Sequence, residues 1–360
     1  MTWHENYIDF VSGEQRGPVA AGVRAILRLA AWIYEAIAAG RNLCYRLGVF
    51  SVAKVAVPVI SIGNLTAGGT GKTPMVATVV RMLQDLGRQP GIVSRGYRAN
   101  DTGMNDEKRV LEHLCPAVPH VQNPDRTAAA KRIIDDHVID AIVLDDGFQH
   151  RRIGRDLDLV LIDATNPFGY DYILPRGLLR ESPRGLQRAD GVVITRCDQV
   201  SASKLASIEQ RICRTAPQHR DRMVRVSFCP TGLLDVSGVP HPLSRIDGCR
   251  VLLLTAIGNP QGFVSTCRGV GADIIHRRFF SDHYHYTQQD LGSVLSEATQ
   301  HEVDIVVTTV KDIVKIQSLE PEPTSSTTVP IMALEIATAF ESADDEQSLS
   351  RMIASAVSQS

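Results

Sequence analysis

The sequence predicts an α/β protein: a parallel sheet flanked by helices, a second, smaller α/β domain after it, and an amphipathic helix before it. Three observations carry that expectation. Apolar strand-length runs alternate with helical spacing from residue 57 onward. A glycine-rich turn joins the first run directly to a helix, and a later apolar run ends in paired aspartates.

Length and composition set the outer limits. At 360 residues the chain is long enough for two domains. Its 44% hydrophobic and 22% charged residues are ordinary for a globular protein with a sizeable core. A net charge of −2 supplies no general drive toward nucleic acid or anionic membrane, so no nucleic-acid partner is expected. The seven cysteines are scattered without a CxxC pair, which reads as reduced thiols. Residues 1–15 are polar, with Glu5, Asp9 and Glu14, unlike a secretory leader, so an intracellular protein is expected.

Taken in order, residues 1–50 form an N-terminal segment whose apolar stretch, 18–39, is interrupted by Arg24, Arg28 and Glu35. Those charges fall within about 40° on a helical wheel at roughly 100° per residue. Ile26, Leu27, Leu29, Ile33 and Ile37 occupy much of the rest. Such a helix suits either a membrane interface or the protein's own core. A spanning helix is not expected.

Residues 51–228 form the expected nucleotide-binding domain. The run at 57–62 is mostly β-branched, and residues 73–84 carry helical apolar spacing (Val76, Val79, Val80, Leu83). Between them, Gly68-Gly69-Thr70-Gly71-Lys72-Thr73 lets backbone N–H groups turn inward around a phosphate chain at a helix N-terminus. Lys72 would reach the β/γ-phosphates and Thr73 would place its hydroxyl on magnesium. The loop, residues 66–73, differs from GxxxxGK[ST] in having Thr66 where the first glycine falls. A phosphate loop of this kind makes the fold P-loop NTPase-type and the ligand a nucleoside triphosphate.

Residues 90–98 read as a strand ending in a loop with Arg95 and Arg98, and a helix starts near Lys108. The apolar run 138–144 ends in Asp145 and Asp146, where a carboxylate can orient magnesium beside the phosphate loop. Strands at 157–162 and 191–195 bracket a segment dense in arginine (Arg176, Arg180, Arg184, Arg188), suited to an anionic substrate. Thr195-Arg196-Cys197-Asp198 is similar to the [NT]KxD signature that reads guanine, with Arg for Lys. Residues 229–245 look like a linker, and 246–360 like the second α/β domain, with strands at 250–255, 304–309 and 329–334.

Six separated stretches resemble one family, the tetraacyldisaccharide 4′-kinases (lipid A 4′-kinases) of Gram-negative bacteria. They are the run from Ser61 to Pro74, Ser94-Arg95-Gly96-Tyr97, Asp145-Asp146-Gly147-Phe148-Gln149-His150, Leu174-Pro175-Arg176-Gly177-Leu178-Leu179-Arg180-Glu181, Gly258-Asn259-Pro260 and Asp282-His283. The resemblance implies transfer of the ATP γ-phosphate to the 4′-hydroxyl of tetraacyldisaccharide 1-phosphate, giving lipid IVA. It implies ATP in a cradle of Thr66, Ala67, Gly68, Gly69, Thr70, Gly71, Lys72 and Thr73. Mg2+ would lie on Thr73, Glu107, Asp145 and Asp146. Asp106 as base with His283, together with Lys72 and Arg180, would be catalytic. Asn64, Arg95, Gln149 and His150 would face the glycolipid. A peripheral place on the cytoplasmic face of the inner membrane is implied as well, and a monomer is expected. The chain departs from the family around Asp106 (Asn105 and Lys108 for Gly and Pro), at Tyr284 for a second histidine, and at Val310 for an acid. The competing readings are a nucleotide-dependent switch or metallochaperone, against which Ala67 stands where MinD-like loops carry lysine, and a soluble small-molecule kinase.

Overall fold

The computed structural model describes residues 3–96, 106–282, 284–319 and 329–358. It divides into two compact units. Residues 3–227 and 338–360 belong to the first, and 228–337 to the second.

The first unit opens with α1 (Trp3–Ser12) and the long α2 (Pro18–Arg46), whose proline sits in the first turn, where its missing N–H costs nothing. It continues through β1 (Val59–Asn64), α3 (Lys72–Asp85), β2 (Pro90–Ser94), α4 (Asp106–Leu114), β3 (His120–Gln122), α5 (Arg126–Asp136), β4 (Ala141–Asp145), β5 (Leu157–Asp163), β6 (Gly191–Thr195) and α6 (Ala202–Thr215). The start of β7 (Met223–Asp235) completes its sheet, in the order β7-β6-β5-β1-β4-β2-β3. Each of those pairings is parallel. Parallel strands need helical crossovers, and both faces of β1, β4, β5 and β6 are buried accordingly. Because β1 lies between β4 and β5, the chain changes direction across its carboxyl end, where such sheets bind ligands.

Helix α3 shows why the sheet is covered. Met75, Val76, Val79, Val80 and Leu83 are all fully buried, each contributing roughly 1.5–3 kcal/mol.

The second unit holds β8 (Pro240–His241), β9 (Arg250–Thr255), α7 (Pro260–Gly269), β10 (Asp273–Phe279), α8 (Gln288–Gln300), β11 (Ile305–Thr309), α9 (Val310–Ile316) and β12 (Ile331–Phe340). Its parallel strands run β10-β9-β11-β12. Asn259 caps α7 by accepting from Gly262 N, and Thr287 with Asp290 forms a capping box on α8.

Two domain boundaries differ from the sequence reading. Residues 338–360 return to the first unit, because Leu349, Ile353 and Val357 of α10 (Ala343–Ser358) pack into the same core as Val76 and Val79. The expected linker, 229–245, is partly ordered sheet: β7 runs on to Asp235 and pairs antiparallel with β8, and Leu233 is buried.

Helix α2 is amphipathic with its sides reversed. Val19, Ile26, Ile33 and Ile37 are each more than 60% exposed, while Arg24, Ala31 and Glu35 are turned inward. Docking of the apolar side on the protein's own core, one of the two expectations, is therefore not what the described residues show. No described helix is long and apolar enough to cross a membrane.

Candidate functional site

The phosphate loop is built on one buried amide. Asn64, at the end of β1, has its Nδ2 donate to Thr66 O (2.7 Å) and to Thr70 Oγ1 (3.0 Å). Gly71 then enters α3 in the left-handed region at φ 84°, a conformation that suits glycine, and Gly68 does likewise at 116°. Gly68 and Gly69 are exposed, so the concave side of the loop faces out. Three struts fix its shape. Ala67 N donates to Leu178 O (2.7 Å), Arg180 N to Leu65 O (2.7 Å), and Thr195 Oγ1 to Thr70 O (3.0 Å). Arg196 adds a fourth, donating to Gly69 O at 2.8 Å while paired with Asp163. The arginine of the guanine-like signature is thus committed to the loop itself.

Asp145 lies beside Ile62 in the sheet, at the mouth of this loop. Its carboxyl is buried and its Oδ1 has no hydrogen-bond partner. Burial first, then the charge of Glu107, pushes its pKa up to about 7. Asp146 differs. Burial would raise it, but Lys72 and Arg180 hold it below the usual carboxylate range. Arg180 Nη1 donates to both of its oxygens at 2.9 Å, and Lys72 Nζ stands 3.5 Å from Oδ1. Two cations expected to meet phosphate oxygens therefore converge on one carboxylate.

The 145–150 loop is held in an unusual conformation, Asp146 being left-handed at φ 53°. Arginines backed by buried acids secure it. Arg155, paired with Asp158 at 2.6 Å, donates to Gly147 O and His150 O. Arg188, paired with Glu181 at 2.6 Å, donates to Phe148 O (3.2 Å) and stacks on the Phe148 ring. A side chain on Gly63 would collide with Phe148, and one on Gly147 with Ser61, so both glycines are required by close approach.

The remaining expected residues are placed as follows. Gln149 Nε2 donates to Asn64 O (2.8 Å) and Glu181 Oε1 (2.9 Å), joining the two loops. His150 is half-buried, and burial, then Arg126, lowers it to about 4, so its ring is neutral at pH 7. Asp106 and Glu107 form the first turn of α4. Arg95 is exposed just after β2. Asn64 is fully buried and braces the loop rather than opening outward. His283 lies outside the described residues, as do Tyr97 and Asn105. Arg126, buried and acting electrostatically on Asp146 and His150, was not singled out from the sequence; nor were Arg155 and Asp158.

Magnesium is tested by the donor set. Among the described residues, His, Cys, Asp and Glu side chains nowhere close into a ready-made cage of three or more. The orphaned Oδ1 of Asp145 nevertheless fits a cation, whose charge would offset the desolvation of this carboxylate.

The sequence family described as tetraacyldisaccharide-1-P 4′-kinase matches residues 23–357. The tetraacyldisaccharide 4′-kinase of Anaeromyxobacter dehalogenans (strain 2CP-C) is 37% identical over 320 residues, covering 84% of each chain. That of Halothermothrix orenii is 33% identical over 316 residues, covering 81% of this chain and 82% of its own. Among solved structures, LpxK from Aquifex aeolicus in complex with ATP superposes with a TM-score of 0.71 at 26% identity, covering 93% of this chain and 99% of its own. The chain belongs to the tetraacyldisaccharide 4′-kinase family.

Proposed function

We propose that this protein transfers the γ-phosphate of ATP to the 4′-hydroxyl of a tetraacyldisaccharide 1-phosphate, the step that forms lipid IVA in lipid A biosynthesis. The observation that carries this reading is the convergence of Lys72 and Arg180 on Asp146 at the mouth of a preshaped glycine loop. Phosphoryl transfer depends on positioning and on neutralising spread charge, and these are the groups such a site needs. The loop from Thr66 to Thr73 holds the phosphate chain through backbone N–H groups. Lys72 and Arg180 then exchange the Asp146 carboxylate for phosphate oxygens.

Thr73, Asp145 and Asp146, with Glu107 nearby, would hold Mg2+. Bound there, the ion supplies further positive charge to the phosphate oxygens. Asp106, in the first turn of α4, takes the proton of the attacking hydroxyl. A part for His283 in that proton transfer rests on the family resemblance alone. Arg95, Gln149 and His150, near the carboxyl edge of the sheet, are proposed to face the sugar, the neutral His150 ring offering either a donor or an acceptor.

The exposed apolar side of α2 supports peripheral contact with the cytoplasmic face of the inner membrane, where an acylated substrate resides. The test is incubation with ATP, Mg2+ and the acylated disaccharide 1-phosphate. The expected product is heavier by one phosphate. Nucleotide hydrolysis that leaves the glycolipid unchanged would overturn the reading.

A further inference from the structure

The family match begins at residue 23, so α1 lies ahead of it. The helix is nevertheless tied to the surroundings of the phosphate loop. Tyr7 Oη donates to Pro175 O at 2.8 Å and stands 3.4 Å from Gly177 O, while Arg176 Nη1 donates back to Val11 O at 2.9 Å. Polar ties thus run in both directions between α1 and the turn at 175–177. Val11 is only 1% exposed, so the helix is seated as well as tethered. Burial raises the Tyr7 pKa and Arg176 offsets only part of that, so the phenol keeps its proton and stays a donor at neutral pH. The other end of the segment is secured to α2: Arg24 Nη1 donates to Gln15 O at 2.7 Å, and its guanidinium stands 5.6 Å from the centre of the Phe10 ring.

The turn that α1 grips is the one that braces the phosphate loop. It folds tightly on itself. Gly177 N donates to Ile173 O (3.1 Å), Leu178 N to Gly169 O (2.9 Å) and Leu179 N to Tyr172 O (3.0 Å). A side chain on Gly177 would collide with Tyr172 O and Gly169 O. A segment packed and bonded this closely transmits a displacement and does not absorb it. On its other side, Leu178 O accepts from Ala67 N, Leu179 bridges to Thr66, and Arg180 N donates to Leu65 O. Arg180 then presents the guanidinium that meets Asp146. Gly177 O, facing the Tyr7 hydroxyl, and Leu178 O, holding the loop, belong to adjacent residues. Their Cα atoms are about 3.8 Å apart across one planar peptide unit, so a shift at one carbonyl is passed to the other.

We propose that Tyr7 is a positioning residue for phosphoryl transfer: its hydroxyl fixes the 175–177 turn and, through that turn, the phosphate loop and Arg180. The effect on turnover rests on the reaction proposed above, whereas the effect on nucleotide binding stands apart from it. In this role α1 meets neither nucleotide nor acceptor. It sets where the Ala67 amide and the Arg180 guanidinium stand when the phosphate chain arrives.

The experiment uses the full-length chain as wild type, Tyr7→Phe and Val11→Ala, with the acylated disaccharide 1-phosphate in neutral detergent micelles. Tyr7→Phe removes a single hydroxyl. It should lower kcat by roughly 3–10-fold and weaken equilibrium binding of ATP with Mg2+, measured without acceptor, by about 2–5-fold. KM for the acceptor should not move. Val11→Ala loosens the seat of α1 but leaves the hydroxyl in place, so it should shift kcat and ATP binding the same way by a smaller factor. A purely structural role would lower the urea midpoint and leave kcat per folded molecule and ATP binding at wild-type values, and that result would overturn the proposal. So would a rise in acceptor KM with ATP binding unchanged, since α1 would then serve the acceptor. If ATP binding weakens in Tyr7→Phe but wild type never phosphorylates the glycolipid, the proposed reaction falls and the place of Tyr7 stands.

Discussion

Both α/β units bury a carboxylate beside the carboxyl ends of parallel strands, and they treat it in opposite ways. In the second unit Asp312 is fully buried and saturated. It accepts from Thr255 Oγ1 (2.8 Å), Ala256 N (3.2 Å) and Thr309 Oγ1 (2.7 Å), with Lys315 Nζ at 3.5 Å. In the first unit Asp145 is nearly as deep, yet one oxygen has no partner and its pKa stands near 7. A saturated acid ties strands together. An orphaned acid costs stability, and it persists where a ligand is to supply the missing charge. The same residue type, at the end of a strand in the first unit and in the first turn of the helix after a strand in the second, is thus saturated in one unit and keeps an unpartnered oxygen in the other.

The comparison can be broken by substitution. The largest effect is expected for Asp312→Ala, which strands Lys315 in the core and leaves Thr255 and Ala256 N without their acceptor. Unfolding by urea should show a loss of roughly 3–5 kcal/mol. Next comes Lys72→Ala. Loss of a preorganised cation at the transferring phosphate should lower kcat by about 10²–10³-fold while the unfolding midpoint barely moves.

Asp145→Asn should do what Asp312→Ala cannot: stabilise the ligand-free protein while abolishing turnover. The sign follows from linkage. A folded carboxyl that titrates near pH 7 retains its proton where the unfolded chain, near 3.8, has released it. Wild-type stability therefore falls as pH rises from about 4 to 7 and levels off above, whereas the Asn variant lacks that slope. At pH 8 the variant should melt higher by roughly 2–4 °C per kcal/mol gained. A lower melting temperature for the variant at pH 8 would count against the orphaned-acid reading. The smallest effect is expected for Ile33→Ser with Ile37→Ser. Stability should change by about 0.5 kcal/mol or less, since both side chains are already solvent-exposed, while cosedimentation with lipid vesicles drops.

What could be read from sequence divides along physical lines. The loop from Thr66 to Thr73 was legible because its information is local: glycines at positive φ, a lysine-threonine pair, a strand before and a helix after. The paired aspartates of β4 were legible for the same reason. Helix α2 was legible as amphipathic, but periodicity carries no statement of which side turns inward, and here it is the side with Arg24 and Glu35. Arg155, Asp158 and Arg126 look like surface charge in a one-dimensional chain. Their burial is created by partners distant in sequence, such as Asp190, whose carboxylate accepts from Asp158 N. The return of α10 to the first unit was hidden likewise, because Leu349 and Ile353 specify an apolar face without naming the sheet it covers.

Arg196 has a kinetic corollary. Pinned between Asp163 and Gly69 O, it keeps the glycine turn in one shape before any nucleotide arrives, so the ordering entropy of that turn is already spent when folding ends. Encounter with a triphosphate then needs no rearrangement of the turn. Stopped-flow traces should be single-exponential with a rate linear in nucleotide concentration, and severing the strut by Arg196→Ala should bend that line toward a plateau set by the turn's own closing.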